Sequence, residues 1–262
     1  MTRQGSGLVL RIYMVVFFLN MFLPLAIMVA AGSYYHSPPS VTVWKGLTPR
    51  CFAELWQDRR VWLGLMNSIL IAGAVIGLAG ALPLGGSAVR RPADGGLYSA
   101  LVSLLLTPGI ILGISTAIFW NELGVAAGLF TAILAQTSFI ASYAMLMFMA
   151  RLQRQDMALE AAARDLGATP FQAFRRITLP FLRPKILTAT IITFLQSFEN
   201  YTTTIFPIGG QHPLVTEIGA RMRFGLSPAI NAPGILFVLA TIAFALGWGA
   251  LKERERRAAD RL

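Results

Sequence analysis

Six stretches of the chain stay apolar for about twenty residues at a time, with polar and charged positions gathered between them: 12–31, 61–84, 97–120, 125–150, 186–206 and 232–251. A helix rises about 1.5 Å per residue and bilayer hydrocarbon is about 30 Å thick, so each stretch is long enough to cross. None alternates at the period of two that marks a barrel strand. Backbone amides in lipid must be bonded internally, so each stretch is predicted to be helical. The pattern predicts an all-α, polytopic membrane protein, with 1–262 forming one transmembrane domain. A signal peptide is the rival reading of the first run, with Val29-Ala30-Ala31 as a small-residue cleavage site. The run exceeds the usual apolar region of about 7–15 residues, and the later spans need no separate export signal. Pro24, Pro83 and Pro108 fall within or at the ends of spans, where neighbouring helices can satisfy the carbonyls they free.

Composition agrees. Of 262 residues, 55% are hydrophobic and only 13% charged, and the mean hydropathy is +0.63. A soluble domain carries about 25% charged residues. The net charge of +10 would suggest nucleic acid in a soluble protein, but here it sets topology. With both termini in the cytoplasm, only Lys45, Arg50, Arg59, Arg60, Arg221 and Arg223 of the 22 basic residues fall outside, as the positive-inside rule requires. Cys51 is the single cysteine, and His36 and His212 are far apart. No disulfide and no metal site are therefore expected. A surface helix is predicted at 52–56. Gly73/Gly77, Gly109/Gly113 and Gly124/Gly128 place small residues four apart, for internal helix packing or a subunit interface.

The longest cytoplasmic loop, 151–185, is the most informative. Asp156 is placed to cap a helix over 157–166, and Gly167 fits the left-handed position that ends one. Thr169 then caps a second helix with Pro170 in its first turn. Phe171, Phe174 and Ile177 share one predicted apolar face, and Pro180 is expected to end the pattern. The loop therefore reads as helix, glycine turn and helix outside the bilayer. No glycine-rich loop of the Gly-x-x-x-x-Gly-Lys-Ser/Thr kind occurs, so the chain has no cradle for ATP phosphates of its own.

This loop resembles the EAA loop of permease subunits of binding-protein-dependent ABC importers. That pattern is Glu-Ala-Ala, three residues, Gly, nine residues, Ile-x-Leu-Pro. Anchored on Gly167, it meets Ile177, Leu179 and Pro180 in register. Its Glu-Ala-Ala falls on Ala161, Ala162 and Ala163, so alanine replaces the motif glutamate and Glu160 sits one residue earlier. The resemblance runs from about Asn67 to the sixth span. Thr107-Pro108-Gly109, 197–201 and 222–228 are similar to the spermidine/putrescine permease branch. It implies a type I, MetI-like six-helix permease in a bacterial inner membrane. The implied partners are a second, non-identical permease, two subunits that bind ATP and Mg, and an extracytoplasmic binding protein. This chain itself would be neither an enzyme nor a cofactor carrier. It also implies that 157–174 docks on the ATPase, with Glu160, Ala161, Ala162, Ala163, Asp165, Gly167, Ala168, Pro170 and Phe171 in the coupling region.

Glu199, in the predicted fifth span, is an intramembrane acid and so a functional candidate. With Asn200 and Tyr201 it is assigned to the substrate pathway, for a polyamine or similar cationic solute. The resembling branch carries an acidic pair there, whereas position 200 is an amide. The competing reading pairs Glu199 with Arg221 or Arg223. Glu122 is expected at a solvated rim. Two other mechanisms compete. An ion-driven transporter would leave the capped loop unexplained. An intramembrane serine protease centred on Ser115 would need a base, and no histidine lies in a predicted span.

Overall fold

The structure is a computed structural model that describes residues 3–32, 50–85, 95–223 and Gly234. The predicted sixth span, apart from Gly234, and His36 lie outside the described residues. The described secondary structure is entirely helical. In chain order it comprises α1 (Arg3–Gly32), α2 (Arg50–Gln57), α3 (Arg59–Gly85), α4 (Gly95–Leu106), α5 (Gly109–Glu122), α6 (Leu129–Leu152), α7 (Met157–Asp165), α8 (Pro170–Ala173), a π-turn (Phe174–Thr178), α9 (Leu179–Phe198) and α10 (Leu214–Met222). Among the described residues three helices are long and apolar enough to cross a membrane, Arg59–Ala81, Leu129–Leu152 and Pro170–Phe198, or four if the bent pair Tyr98–Leu106 and Gly109–Glu122 is one span. In α1 the apolar run Leu10–Pro24 is shorter, and its large side chains are exposed.

The chain forms two compact units. Unit one is Met1–Arg59 with Ala220–Leu262. It contains the predicted first span, helical throughout, and α2, which covers the predicted surface helix. Within it Arg221 Nη1 meets Asp58 Oδ2 at 2.6 Å.

Unit two, Arg60–Gly219, is built around α6. Over half of that helix is buried. Its small residues let other helices approach closely, as membrane packing requires without a hydrophobic force between helices. Ala141, Ala144 and Phe148 pack with Ala79, Leu182 and Ala189, joining α6 to α3 and α9. Nearer its start, Ala132 and Ile140 pack with Ile71, Val75 and Ile208.

Three predicted spans need correction. The third, 97–120, is two helices, α4 and α5, bent by 103°. Pro108 has no amide proton and restricts Thr107 before it, so the helix stops there and restarts at Gly109. The fourth, 125–150, begins only at Leu129. Gly124 takes a φ of +78°, and the Gly128 amide donates to the Pro207 carbonyl (2.8 Å) and to Thr131 Oγ1 (2.9 Å) rather than to a preceding helical turn. The fifth, 186–206, is displaced toward the N-terminus. Helix runs without a break from Pro170 to Phe198, and 199–210 form turns.

Pro180 does not end the helix, contrary to expectation. The π-turn before it carries the Leu179 amide back to the Phe174 carbonyl, five residues away. The wider turn makes room for a ring that lacks a donor. The wider turn also breaks the 171/174/177 stripe: Phe171 is exposed, Phe174 and Ile177 are half-buried, and Ala173 points inward.

Buried turns must be satisfied by protein, and those of 199–210 largely are, although Thr203 Oγ1 is buried with no hydrogen-bond partner among the described residues. Gln136, buried in α6, accepts from the Ser197 hydroxyl and donates to Thr204 Oγ1 at 2.7 Å. Thr204 in turn donates to the Asn200 carbonyl. The Asn200 side chain accepts from the Thr203 amide at 3.2 Å, and Thr131 Oγ1 donates to the Pro207 carbonyl at 2.6 Å. On the other side, α5 offers only hydrogen atoms. A Cβ at Gly113 would stand 2.9 Å from the Thr203 carbonyl oxygen, and one at Gly109 would stand 2.8 Å from Thr202 Oγ1. Of the predicted small-residue pairs, Gly109/Gly113 therefore packs internally. Gly73 and Gly77 face open space among the described residues, and Gly124/Gly128 lie outside any helix.

Two stability outcomes follow from this packing. Gly113→Val should destabilise the protein by about 1–3 kcal/mol through overpacking against backbone, whereas Gly73→Ala should be neutral or slightly stabilising. Thermal unfolding in detergent separates the two. Gln136→Leu should cost about 1–3 kcal/mol by stranding buried hydroxyls, with increased hydrogen exchange confined to 197–210.

Candidate functional site

The loop between α6 and α9 is built as its sequence predicts up to Pro170. Asp156 Oδ1 accepts from the Ala158 amide at 2.9 Å, capping α7. At the other end, the Gly167 amide bonds to the Arg164 carbonyl (2.8 Å) and the Ala168 amide to the Ala163 carbonyl (3.0 Å). This pair of bonds is a Schellman turn, and it requires the φ of +87° that Gly167 adopts. Thr169 and Gln172 then bond reciprocally: Gln172 N to Thr169 Oγ1 at 3.3 Å and Thr169 N to Gln172 Oε1 at 2.9 Å. Pro170 takes the first helical position. From there the chain passes through the π-turn into the spanning helix without a joint.

Three contacts brace this arm. Gln155 Nε2 donates to Thr178 Oγ1 at 3.2 Å, both buried. The Arg151 guanidinium lies 4.0 Å over the Phe181 ring. Glu160, 6% exposed, meets Arg164 Nη2 at 3.4 Å. The acid one position before the motif site thus faces inward, while Ala161 at the motif site faces out. Ala162, Asp165, Gly167, Pro170 and Phe171 are also exposed, and Ala163 and Ala168 are half-buried. Leu166, 89% exposed, and Phe171, 69% exposed, flank the glycine turn. Sequence reasoning left Leu166, Gln155 and Thr178 out of the site. Helix propensity accounts for Leu166 without assigning it a face, and the Gln155–Thr178 bond spans 23 positions with no local signal.

Glu199, Asn200 and Tyr201 follow the fifth span rather than lying within its helix. Glu199 is its C-cap residue. It is exposed and makes no ion pair among the described residues. The competing reading, a pair with Arg221, is not met: that cation is held by Asp58. Asn200 is buried and occupied with the turn. The Tyr201 ring lies over Gly219, where a Cβ would stand 2.5 Å from it. The buried acid in this region is Glu217 of α10, 6% exposed; the turn-rich sequence around it concealed its burial. Glu122 is exposed, as expected of a rim residue.

A cleft of about 720 Å³ opens between α4, α5 and α6. Leu101, Leu104, Phe119 and Trp120 form apolar walls, and Ser115, Thr116, Thr137, Ser138 and Ser142 line it with hydroxyls. Several of these donate to their own helix, Ser115 to the Ile111 carbonyl at 2.5 Å and Thr137 to the Ile133 carbonyl at 2.7 Å. Their oxygens remain acceptors, which suits a cationic or hydroxylated solute. Among the described residues no histidine or carboxylate lines the cleft, so nothing described there supplies Ser115 with a base. Among the described residues no group of His, Cys, Asp and Glu is arranged to hold a metal.

Comparison with known proteins gives a consistent result. Residues 73–252 match the family described as binding-protein-dependent transport system inner membrane component. The putrescine transport system permease protein PotI of Escherichia coli K12 is 29% identical over 237 residues, covering 85% of this chain and 84% of that protein. The spermidine/putrescine permease PotC of the same strain is 23% identical, covering 88% and 89%. A bacterial ABC transporter that imports alginate shares the fold, with a TM-score of 0.69 at 13% identity over 95% of this chain and 96% of that one. The MetNI methionine ABC transporter aligns with a TM-score of 0.57 at 22% identity over 75% and 94%. Nothing in these similarities favours an ion-driven carrier. The chain belongs to the inner membrane components of binding-protein-dependent transport systems, the permease subunits of ABC importers.

Proposed function

We propose that this permease forms the solute pathway with a second, non-identical permease chain and is driven by two ATP-binding subunits that dock on the loops of the pair, here on 151–185. An extracytoplasmic binding protein delivers the solute, and both termini face the cytoplasm. ATP and Mg belong to the partner subunits. The observation that carries this reading is the arm itself. A capped helix and a Schellman turn present Leu166 and Phe171 to solvent and continue without a hinge into a membrane-crossing helix. Exposed apolar residues at a rigid turn suit a groove on a soluble partner. A stiff helix passes a rigid-body movement at that end into the membrane.

The proposed solute is a polyamine. Support comes from the putrescine and spermidine/putrescine systems of the relatives and from the chemistry of the chain. Glu199 offers an unpaired carboxylate, which Asn200 and Tyr201 hold in place through the turn they anchor. The cleft adds hydroxyl oxygens and the Trp120 ring, which can receive ammonium groups in steps.

Two outcomes test this reading. Gly167→Pro forces a φ near −65° where +87° is needed, so ATPase co-purification should be lost while membrane insertion persists. Recovery of the ATPase at wild-type yield would refute the docking role. Glu199→Gln should lower polyamine uptake by about tenfold, the worth of one charged hydrogen bond, with subunit assembly unchanged. Uptake into proteoliposomes at the wild-type rate would remove Glu199 from the pathway.

A further inference from the structure

A second cavity, about 220 Å³ in volume, lies where α6 meets α9 beside the loop. Arg151, Arg154 and Lys185 line it together with Met147 and Ala150. Its volume equals about seven waters at roughly 30 Å³ each. None of the three cations pairs with a carboxylate among the described residues. Arg151 is the most constrained. One face of its guanidinium is stacked on Phe181, and its Nε is buried with no hydrogen-bond partner among the described residues. A guanidinium stacked on a ring keeps its edge free for a bidentate oxygen acceptor. Three like charges around one small cavity repel each other unless an anion sits between them.

We propose that this cavity binds the phosphate of an anionic phospholipid headgroup. The shared chemistry is that of any phosphate, but the walls favour a lipid. Met147 and Ala150 belong to the membrane-crossing part of α6, so apolar surface adjoins the basic end of the cavity. That order of apolar wall, then cations, matches acyl chain, glycerol and phosphate at the edge of a leaflet. Basic pockets between helices at this depth recognise such headgroups. The bound lipid joins α6 to α9 at the base of the arm, next to the Gln155–Thr178 bond. The inference rests on these helices crossing the bilayer and is independent of ATPase docking.

The test uses the full chain in detergent, followed by native mass spectrometry during titration with phosphatidylglycerol, phosphatidylcholine or inorganic phosphate. Phosphatidylglycerol should be retained in preference to phosphatidylcholine. Arg154→Gln with Lys185→Gln should weaken its retention about 25-fold, at roughly fivefold per cation. Both side chains are exposed, so folding should persist, as thermal unfolding in a neutral detergent will report. Arg154→Lys should restore most of the binding. Equal retention of the two lipids, or of phosphatidylglycerol by wild type and double variant, would overturn the proposal. Millimolar inorganic phosphate displacing the lipid would reassign the cavity to a free anion. A double variant that keeps its lipid but loses the ATPase would give the cations to the partner. Wild type that retains phosphatidylglycerol without ever recruiting an ATPase would leave this site standing and defeat the docking reading.

Discussion

The backbone's need for hydrogen bonds in a medium that supplies none governs this structure. Helices meet that need cheaply, which is why the chain is helical where it crosses. The costly places are those where the helix stops: the break at Pro108 and the turns at 199–210. Most of the groups so freed in 199–210 are met by a side chain, while Thr203 Oγ1 stays buried without a partner among the described residues. Gln136 donates and accepts between Ser197 and Thr204, Thr131 reaches the Pro207 carbonyl, and Gly109 and Gly113 let the turn come within contact of α5. Buried polar networks of this kind hold firmly only when fully connected. They fix the end of α9, and with it the position of Glu199.

The second organising feature is continuity. The arm that leaves the membrane after α6 returns as one helix from Pro170 to Phe198. A flexible linker would dissipate a push applied at Gly167, while a continuous helix carries it into the packing of α6 and α9. Because α6 is also the packing partner of α3, α4 and α5, movement at this seam reaches the cleft between α4, α5 and α6 as well. Exposed apolar side chains run along the arm, from Met157 and Leu159 to Leu166 and Phe171, while Gln155–Thr178 and Arg151–Phe181 tie its base.

Much of this was legible in the residues. Caps and terminators are local chemistry, so Asp156, Gly167, Thr169 and Pro170 announced their roles correctly. Hydropathy located α3 and α6 to within a few residues. Reasoning failed where a distant partner overrode a local rule. Pro180 reads as a stop, but an inserted π residue absorbs it. The apolar run 97–120 reads as one span, although Pro108 outweighs its composition. Residues 199–206 read as helix because nothing nearby shows that Gln136, more than sixty positions away, will satisfy a turn there. Glu199 reads as buried for the same reason, yet it is exposed at the end of α9.

The π-turn at Phe174–Thr178 has a steric consequence of its own. Each residue of an α-helix advances the azimuth by about 100°. One surplus residue between the arm and the membrane therefore acts as a phase setting. It fixes the compass bearing of Phe171 and Leu166 relative to the lipid-facing side of α9, much as a keyed shaft fixes the bearing of a crank. Excising that single residue would leave composition, charge and hydropathy almost untouched, yet would turn the whole arm by more than a quarter circle.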